Sequence, residues 1–238
     1  MIAIVLTTFL RPQLARETIQ SILDNWVPDY GVLIVVDQSG TLCLDDPRVQ
    51  EIGVPFDCGL SAARNYGVRC AALYHGCEHT LITADSIQFT APYDFSDVYT
   101  NMRQYDLDLV GFDLAGRVPW EGKLTMDPTY GYPFKVHKRP YDGSSWLLNI
   151  DICRNFFLAR TASLLAVKWD EDLKLREHED WFWRYKLTGH HIGWTSTIQA
   201  QYVDCKPDEY VRYRNRMYRE YDLMVRRKYS ESTATNVG

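Results

Sequence analysis

Short apolar runs alternate with stretches of helical spacing over the first half of the chain. Ile2–Leu6 is unbroken apolar, as in a strand buried on both faces. Leu14, Ile19, Ile22 and Leu23 then share one side of a helix predicted over Arg11–Asn25. A β-branched run, Val32–Val36, ends at Asp37. The spacing predicts a helix over Leu60–Leu73 and strands at Thr80–Thr83 and Leu107–Phe112. Strands alternating with helices imply a parallel sheet with crossover helices, whose ligands bind beyond the carboxyl ends of the strands. Asp37 and Asp85 fall at such ends.

The rhythm breaks between Ala115 and Ser145, a stretch rich in Gly, Pro and aromatics, among them Pro119, Trp120, Gly131, Tyr132, Pro133 and Tyr141. It reads as loops over the site, a substrate lid. Beyond it the pattern predicts a strand at Trp146–Ile152, a short helix at Thr161–Val167 and a helix over Glu179–Leu187 stopped by Gly189. A longer helix over Asp208–Tyr229 and a frayed tail, Ser230–Gly238, complete the chain.

Composition narrows the class. No run approaches the ~20 apolar residues of a membrane span, and Met1–Leu10 lacks a basic leader before Arg11-Pro12, so it reads as a strand and not a signal peptide. The six cysteines contain no Cys-x-x-Cys pair, as expected of a reduced, soluble, cytoplasmic protein. A net charge of -5 argues against a general nucleic-acid binder. The basic residues concentrate after residue 205, where eight Lys/Arg face five Asp/Glu among interleaved tyrosines. That helix can dock its Tyr/Met/Leu face on the domain; the alternatives are an anionic membrane surface, an oligomer contact or nucleic acid.

Arg176–Trp183 (REHEDWFW) sets three carboxylates and a His against three large rings. Burying an unpaired charge costs several kcal/mol or more, so such a mixture needs a reason. A pocket in which a sugar stacks on a ring while a carboxylate takes a hydroxyl proton is one. A helix start, acids at the dipole and rings in the core, is the other.

Asp57–Gly67 (DCGLSAARNYG) resembles the Gly-Leu-Ser-x-Ala-Arg-Asn-x-Gly segment of family 2 glycosyltransferases. Ile4–Pro12 is similar to their first strand and turn, and Val35–Gly40 carries Asp37 where they have an Asp after the second strand. Asn155–Thr161, Trp169-Asp170 and Glu177–Asp180 are similar to β-1,4-N-acetylgalactosaminyltransferase-like members. Together these segments cover residues 1–205.

The resemblance implies an α/β GT-A fold, a Rossmann-like, mostly parallel mixed sheet flanked by helices. It divides residues 1–205 into a nucleotide-sugar half (1–112) and an acceptor half (113–205), with 206–238 as a basic, aromatic helix and tail packed on the same domain. It implies inverting transfer from a nucleotide-diphosphate sugar, UDP-linked, to a glycan hydroxyl. Asp180 is then the general base, with Glu179 orienting the acceptor and Trp181 and His178 binding it; core packing is the equal alternative for the ring. The donor site would comprise Thr7, Thr8, Phe9, Arg11, Asp37, Ser39, Arg64 and Asp85. Asp37 would meet a uracil or ribose edge, or else cap a turn with Ser39; Arg64 would grip the diphosphate, or else pair with Asp57. Family members hold Mn²⁺ or Mg²⁺ through Asp-x-Asp, but here the motif is Thr83-Ala84-Asp85, leaving one carboxylate. Asp204, His190 or His191 would have to help. Two rival readings are transfer to a modified base in DNA and a non-catalytic sugar-binding module.

Overall fold

The computed structural model describes residues 1–117, 120–127, 129, 131–139 and 143–234, without the side chains of 231–234. Its elements run β1 (Ile2–Thr8), α1 (Pro12–Asp24), β2 (Tyr30–Asp37), β3 (Val49–Gly53), α2 (Leu60–Leu73), β4 (His79–Ala84), β5 (Ile87–Gln88), α3 (Ser96–Gln104) and β6 (Leu109–Ala115). There follow β7 (Gly122–Met126), β8 (Phe134–Lys138), β9 (Trp146–Ile150), β10 (Phe157–Arg160), α4 (Thr161–Ala166), α5 (Glu177–Leu187), β11 (Ile192–Tyr202), α6 (Asp208–Asn215) and α7 (Tyr218–Ala234).

The main sheet has the order β3-β2-β1-β4-β10-β6-β11-β5, with β9 also on β11. β1 to β4 are parallel, β10 runs against β4 and β6, and β11 lies parallel to β6. The carboxyl ends of β1, β2, β4, β6 and β11 therefore share one edge. Alternation along β1 divides the core: Ile2, Ile4 and Leu6 pack under α1 and α3, while Ala3 and Val5 face the side of α2, α4, α5 and α7. Gly67 lets α2 approach β1 closely, since a Cβ there would lie 2.5 Å from Val5 Cγ1.

Several expectations change. The 115–145 stretch is not loop throughout: β7 and β8 form an antiparallel hairpin that packs Leu124 and Phe134 into the core. Pro119 and Tyr141 lie outside the described residues. The short β3, β5 and β10 carry little or no apolar alternation of their own and are held as strands by their neighbours. The long β11, absent from the predicted elements, buries Ile192, Trp194, Ile198 and Ala200 at alternating positions. The helix expected over Asp208–Tyr229 breaks at Arg216-Met217 into α6, with no buried residue, and α7, which buries Val225 and Tyr229. Part of the expected tail, Ser230–Ala234, continues α7; 235–238 lie outside the described residues. Among the described residues, no helix is long and apolar enough to cross a membrane.

Candidate functional site

A cavity of about 460 Å³ opens at the shared carboxyl edge, within the size range of small-molecule sites. The ends of β1 and β4 supply Thr7, Thr8, Ala84 and Asp85; α5 and the segment before it supply Lys174, Glu177 and His178. The α6 segment covers it with Tyr210, Tyr213, Arg214 and Arg216. Among the described residues, eight cationic side chains line it against three carboxylates (Asp57, Asp85 and Glu177), although the chain as a whole is acidic. Such a surplus attracts a polyanion.

Of the residues expected at a donor, Thr7, Thr8, Phe9, Arg11, Arg64 and Asp85 meet in this cavity. Asp37 and Ser39 do not line it. Asp37 is buried, and its carboxylate accepts from the backbone N–H groups of Ser39 (2.8 Å), Thr41 (2.7 Å) and Leu42 (3.0 Å), which is the turn-capping role. Ser39 Oγ accepts from the Leu10 N–H and ties two loops together. The neighbour Gln38 lines the cavity instead and fixes Gly59 by accepting its N–H at 3.0 Å. Gly59 takes φ +95° at the cap of α2 beneath Lys174.

Arg64 pairs with Glu177 (3.2 Å), not Asp57, and lies over the Trp169 ring. Asp57 binds Lys174 and Arg216. Burial lowers the Arg64 pKa against the pull of Glu177, and its Nε has no hydrogen-bond partner. Thr7 Oγ1 and His178 Nε2 are likewise buried without partners. Buried polar atoms nearly always find partners; here three without one belong to residues of the same cavity wall. Asn65 holds the wall in place through Trp169 and Glu171.

The first turn of α5 faces two ways. Arg176, at φ +65°, is wedged between Tyr132 and Tyr218 and turns the chain so that Glu177 opens the helix. Glu177 and His178 line the cavity; Glu179 and Asp180 do not. Asp180, expected as the base, is 0% exposed. It accepts from Tyr229 Oη (2.8 Å) and pairs with Lys228 (2.7 Å) and Arg184 (3.0 Å), pinning α7 to α5. Glu179 is half-buried off the cavity, with its pKa raised by burial. Trp181, expected at an acceptor sugar, is core: it stacks between Trp169 and Phe157 and donates to Val167 O at 2.7 Å. Among the rings that do line the cavity is Trp120, whose ring centre lies 4.8 Å from that of the His178 imidazole. His178 holds Nδ1 at 3.0 Å from Asn155 Oδ1, and burial, reinforced by Arg64, lowers its pKa to about 3, so the ring is neutral.

The residues proposed for a divalent cation do not converge. Arg11 grips the Asp85 carboxylate through Nε (3.1 Å) and Nη2, and Thr8 Oγ1 donates to it at 2.9 Å. Burial raises the Asp85 pKa to about 6 against the opposing pull of Arg11. Asp204 is exposed, pairs with Lys206 (2.7 Å) and does not line the cavity. His191 immediately precedes β11 at the opposite sheet edge, hydrogen-bonded to Asp106 O, and His190 pairs there with Asp108. Among the described residues no three His, Cys, Asp or Glu side chains gather as a metal site. Asp85 is thus the one expected metal ligand on the cavity, and its carboxylate is occupied by Arg11 and Thr8.

Gln38, Glu177, Asn155 and Arg154 were not assigned to the site from sequence, while Trp120 and Arg117 fall in the stretch expected to cover it. Gln38 and Glu177 stand one and three positions from the residues that were chosen, and Asn155 opens one of the motifs.

The mixed, mostly parallel sheet between two helical layers, with its cavity at the carboxyl edge, is the GT-A fold of nucleotide-sugar transferases. The chain superposes on Staphylococcus aureus TarS 1-349 in complex with UDP (TM-score 0.58, 15% identity, 88% of this chain and 62% of that one). It matches the UDP-GlcNAc complex equally (TM-score 0.59, 14% identity, 88% and 60%). In sequence it is 26% identical over 187 residues to the mouse β-1,4 N-acetylgalactosaminyltransferase 2, across 76% of this chain. It spans about a third of that relative, 35% of its length. The resemblance read from the motifs thus holds in sequence and in fold. No protein-family model matches the chain.

Proposed function

We propose that the chain is an inverting glycosyltransferase that moves a sugar from a UDP-linked donor to a hydroxyl of a glycan acceptor. The observation that carries this reading is the cationic cavity at the carboxyl edge, with Arg64, Thr7 and His178 each presenting a buried polar atom without a partner. Thr7, Thr8, Phe9, Arg11 and Arg64 bind the nucleotide and diphosphate, with Gln38 taking the place assigned to Asp37. Guanidinium groups suit this task because their fork matches phosphate oxygens.

Glu177 replaces Asp180 as the base, because it is the α5 carboxylate on the cavity. It takes the acceptor hydroxyl proton as that oxygen bonds to the anomeric carbon. The bond from that carbon to the diphosphate breaks on the opposite face, and UDP leaves with the electron pair. Trp120 offers a ring for the acceptor sugar, and neutral His178, fixed by Asn155, offers it a hydrogen bond.

The basic C-terminal residues speak for docking over membrane or nucleic-acid contact: Arg216, Arg226 and Lys228 are engaged by Asp57, Asp222 and Asp170 of the chain itself. The test is UDP release from a panel of UDP-sugars, with and without glycan acceptors, alongside the thermal shift each donor induces. Acceptor-dependent UDP release is expected. A folded chain that no UDP-sugar stabilises would overturn the reading; stabilisation without turnover would favour the non-catalytic module.

A further inference from the structure

We infer that Arg11 occupies the place of a divalent cation at the donor diphosphate, so that UDP binds this chain without a metal. The inference rests on the donor reading above and specifies how that site handles charge. In the expected motif, two acids after β4 would hold a cation against the diphosphate. Here the first acid is Thr83, whose Oγ1 is buried without a hydrogen-bond partner. The second, Asp85, is 0% exposed and already binds a cation, the Arg11 guanidinium.

That guanidinium is positioned on several sides. Asp85 holds its Nε and Nη2 edge, the Tyr210 ring of α6 covers its face at 4.2 Å, and Nη1 reaches Cys205 O at 3.4 Å. Its side chain is 11% exposed and lines the cavity, so a diphosphate entering there meets a preset cation. Arg11 also stands immediately before Pro12, the first residue of the 13-residue α1, whose amino end adds positive potential there. Lys206, Arg117 and Arg214 line the same cavity and supply the remaining charge. A metal on Asp85 would have to displace Arg11 from a fully buried carboxylate, and none of the described His, Cys, Asp or Glu side chains assembles into a replacement donor set.

The test is calorimetric titration of the full chain with UDP in EDTA and again with excess Mn²⁺. Equal affinity is expected, or weaker affinity with Mn²⁺, which neutralises the diphosphate before it meets the guanidinium groups. Arg11→Lys keeps the charge but loses the fork, and should weaken UDP binding about tenfold or more in EDTA without rescue by Mn²⁺. Asp85→Asn keeps one acceptor oxygen for Arg11 Nε and Thr8 Oγ1 while losing the acceptor for Arg11 Nη2, and its affinity in EDTA should stay within about tenfold of the parent. Mn²⁺ tightening UDP binding by about tenfold or more in the parent, lost in Asp85→Asn, would overturn the inference and leave the donor reading intact. A folded parent that fails to bind UDP under either condition would overturn both.

Discussion

Glu177 and Asp180 are carboxylates on one turn of one helix, yet they meet different surroundings. Residues three apart on a helix differ by roughly 60° in direction and about 4.5 Å in height. Glu177, at the first helical position, projects from the helix end into the cavity and binds Arg64 of α2. Asp180 lies one turn deeper, where α7 crosses, and binds Lys228, Arg184 and Tyr229. Their ring neighbours divide likewise: the His178 imidazole is on the cavity and the Trp181 indole is inside the core. Acidity and adjacency in sequence do not separate the two carboxylates; access to the cavity does.

The sharpest way to break the comparison is Glu177→Gln. The amide still accepts a hydrogen bond from Arg64 but takes no proton, so transfer should fall by about 10²–10⁴. Single-turnover transfer measures this, with UDP binding retained as the control; a variant transferring near the parent rate would end the assignment of Glu177. Asp180→Ala should act on stability instead. Lys228 and Arg184 keep access to water, but the anchor of α7 is gone, and unfolding should become easier by about 2–4 kcal/mol in a urea titration. Loss of transfer in a fully stable Asp180 variant would restore Asp180 to the chemistry.

His178→Phe sharpens the comparison through pH. In the folded chain the imidazole pKa lies near 3, below its ordinary 6.5. The unfolded chain therefore binds the extra proton first, and this contribution to stability is complete above pH 6.5 and drains away as pH falls toward 3. The parent should lose stability relative to His178→Phe by up to about 1.4 kcal/mol per pH unit over that window. Asp85 acts with the opposite sign: its pKa is raised from 3.8 to about 6, so its contribution, present below pH 3.8, is lost as pH rises through 6. Comparing the two chains at each pH cancels it. The smallest effect is expected from Lys228→Met. Asp180 keeps Arg184 and Tyr229, and Lys228 is 32% exposed, so the cost should be about 1 kcal/mol or less in the same urea titration.

Fold class was legible because β1, β2, β4 and β6 are buried runs that announce themselves, and the Gly59-Leu60-Ser61 turn announces α2. Part of the cavity wall was legible too, Asp85 from its place at a strand end and Thr7 and Thr8 through the family resemblance of Ile4–Pro12. The edge and inserted strands were not. Phe157–Arg160 is four residues long and becomes β10 only by pairing with β4 and β6. Asp37 was legible as a strand-end carboxylate, but its three backbone hydrogen bonds form only once the Ser39–Leu42 turn closes on it.

By itself, then, the sequence determined a buried, mostly parallel sheet, the edge at which the cavity opens, and a group of acids, cations and rings near it. These follow from local periodicity and from residue types fixed at strand ends and helix starts. Only the tertiary structure decided which of those groups face the cavity. Asp85 is committed to Arg11, Asp180 to α7, Trp181 to the core and His191 to the opposite edge by partners 74, 48, 12 and about 85 residues away. Contacts at such separations depend on how helices and loops cross, and local spacing along the chain carries no record of them.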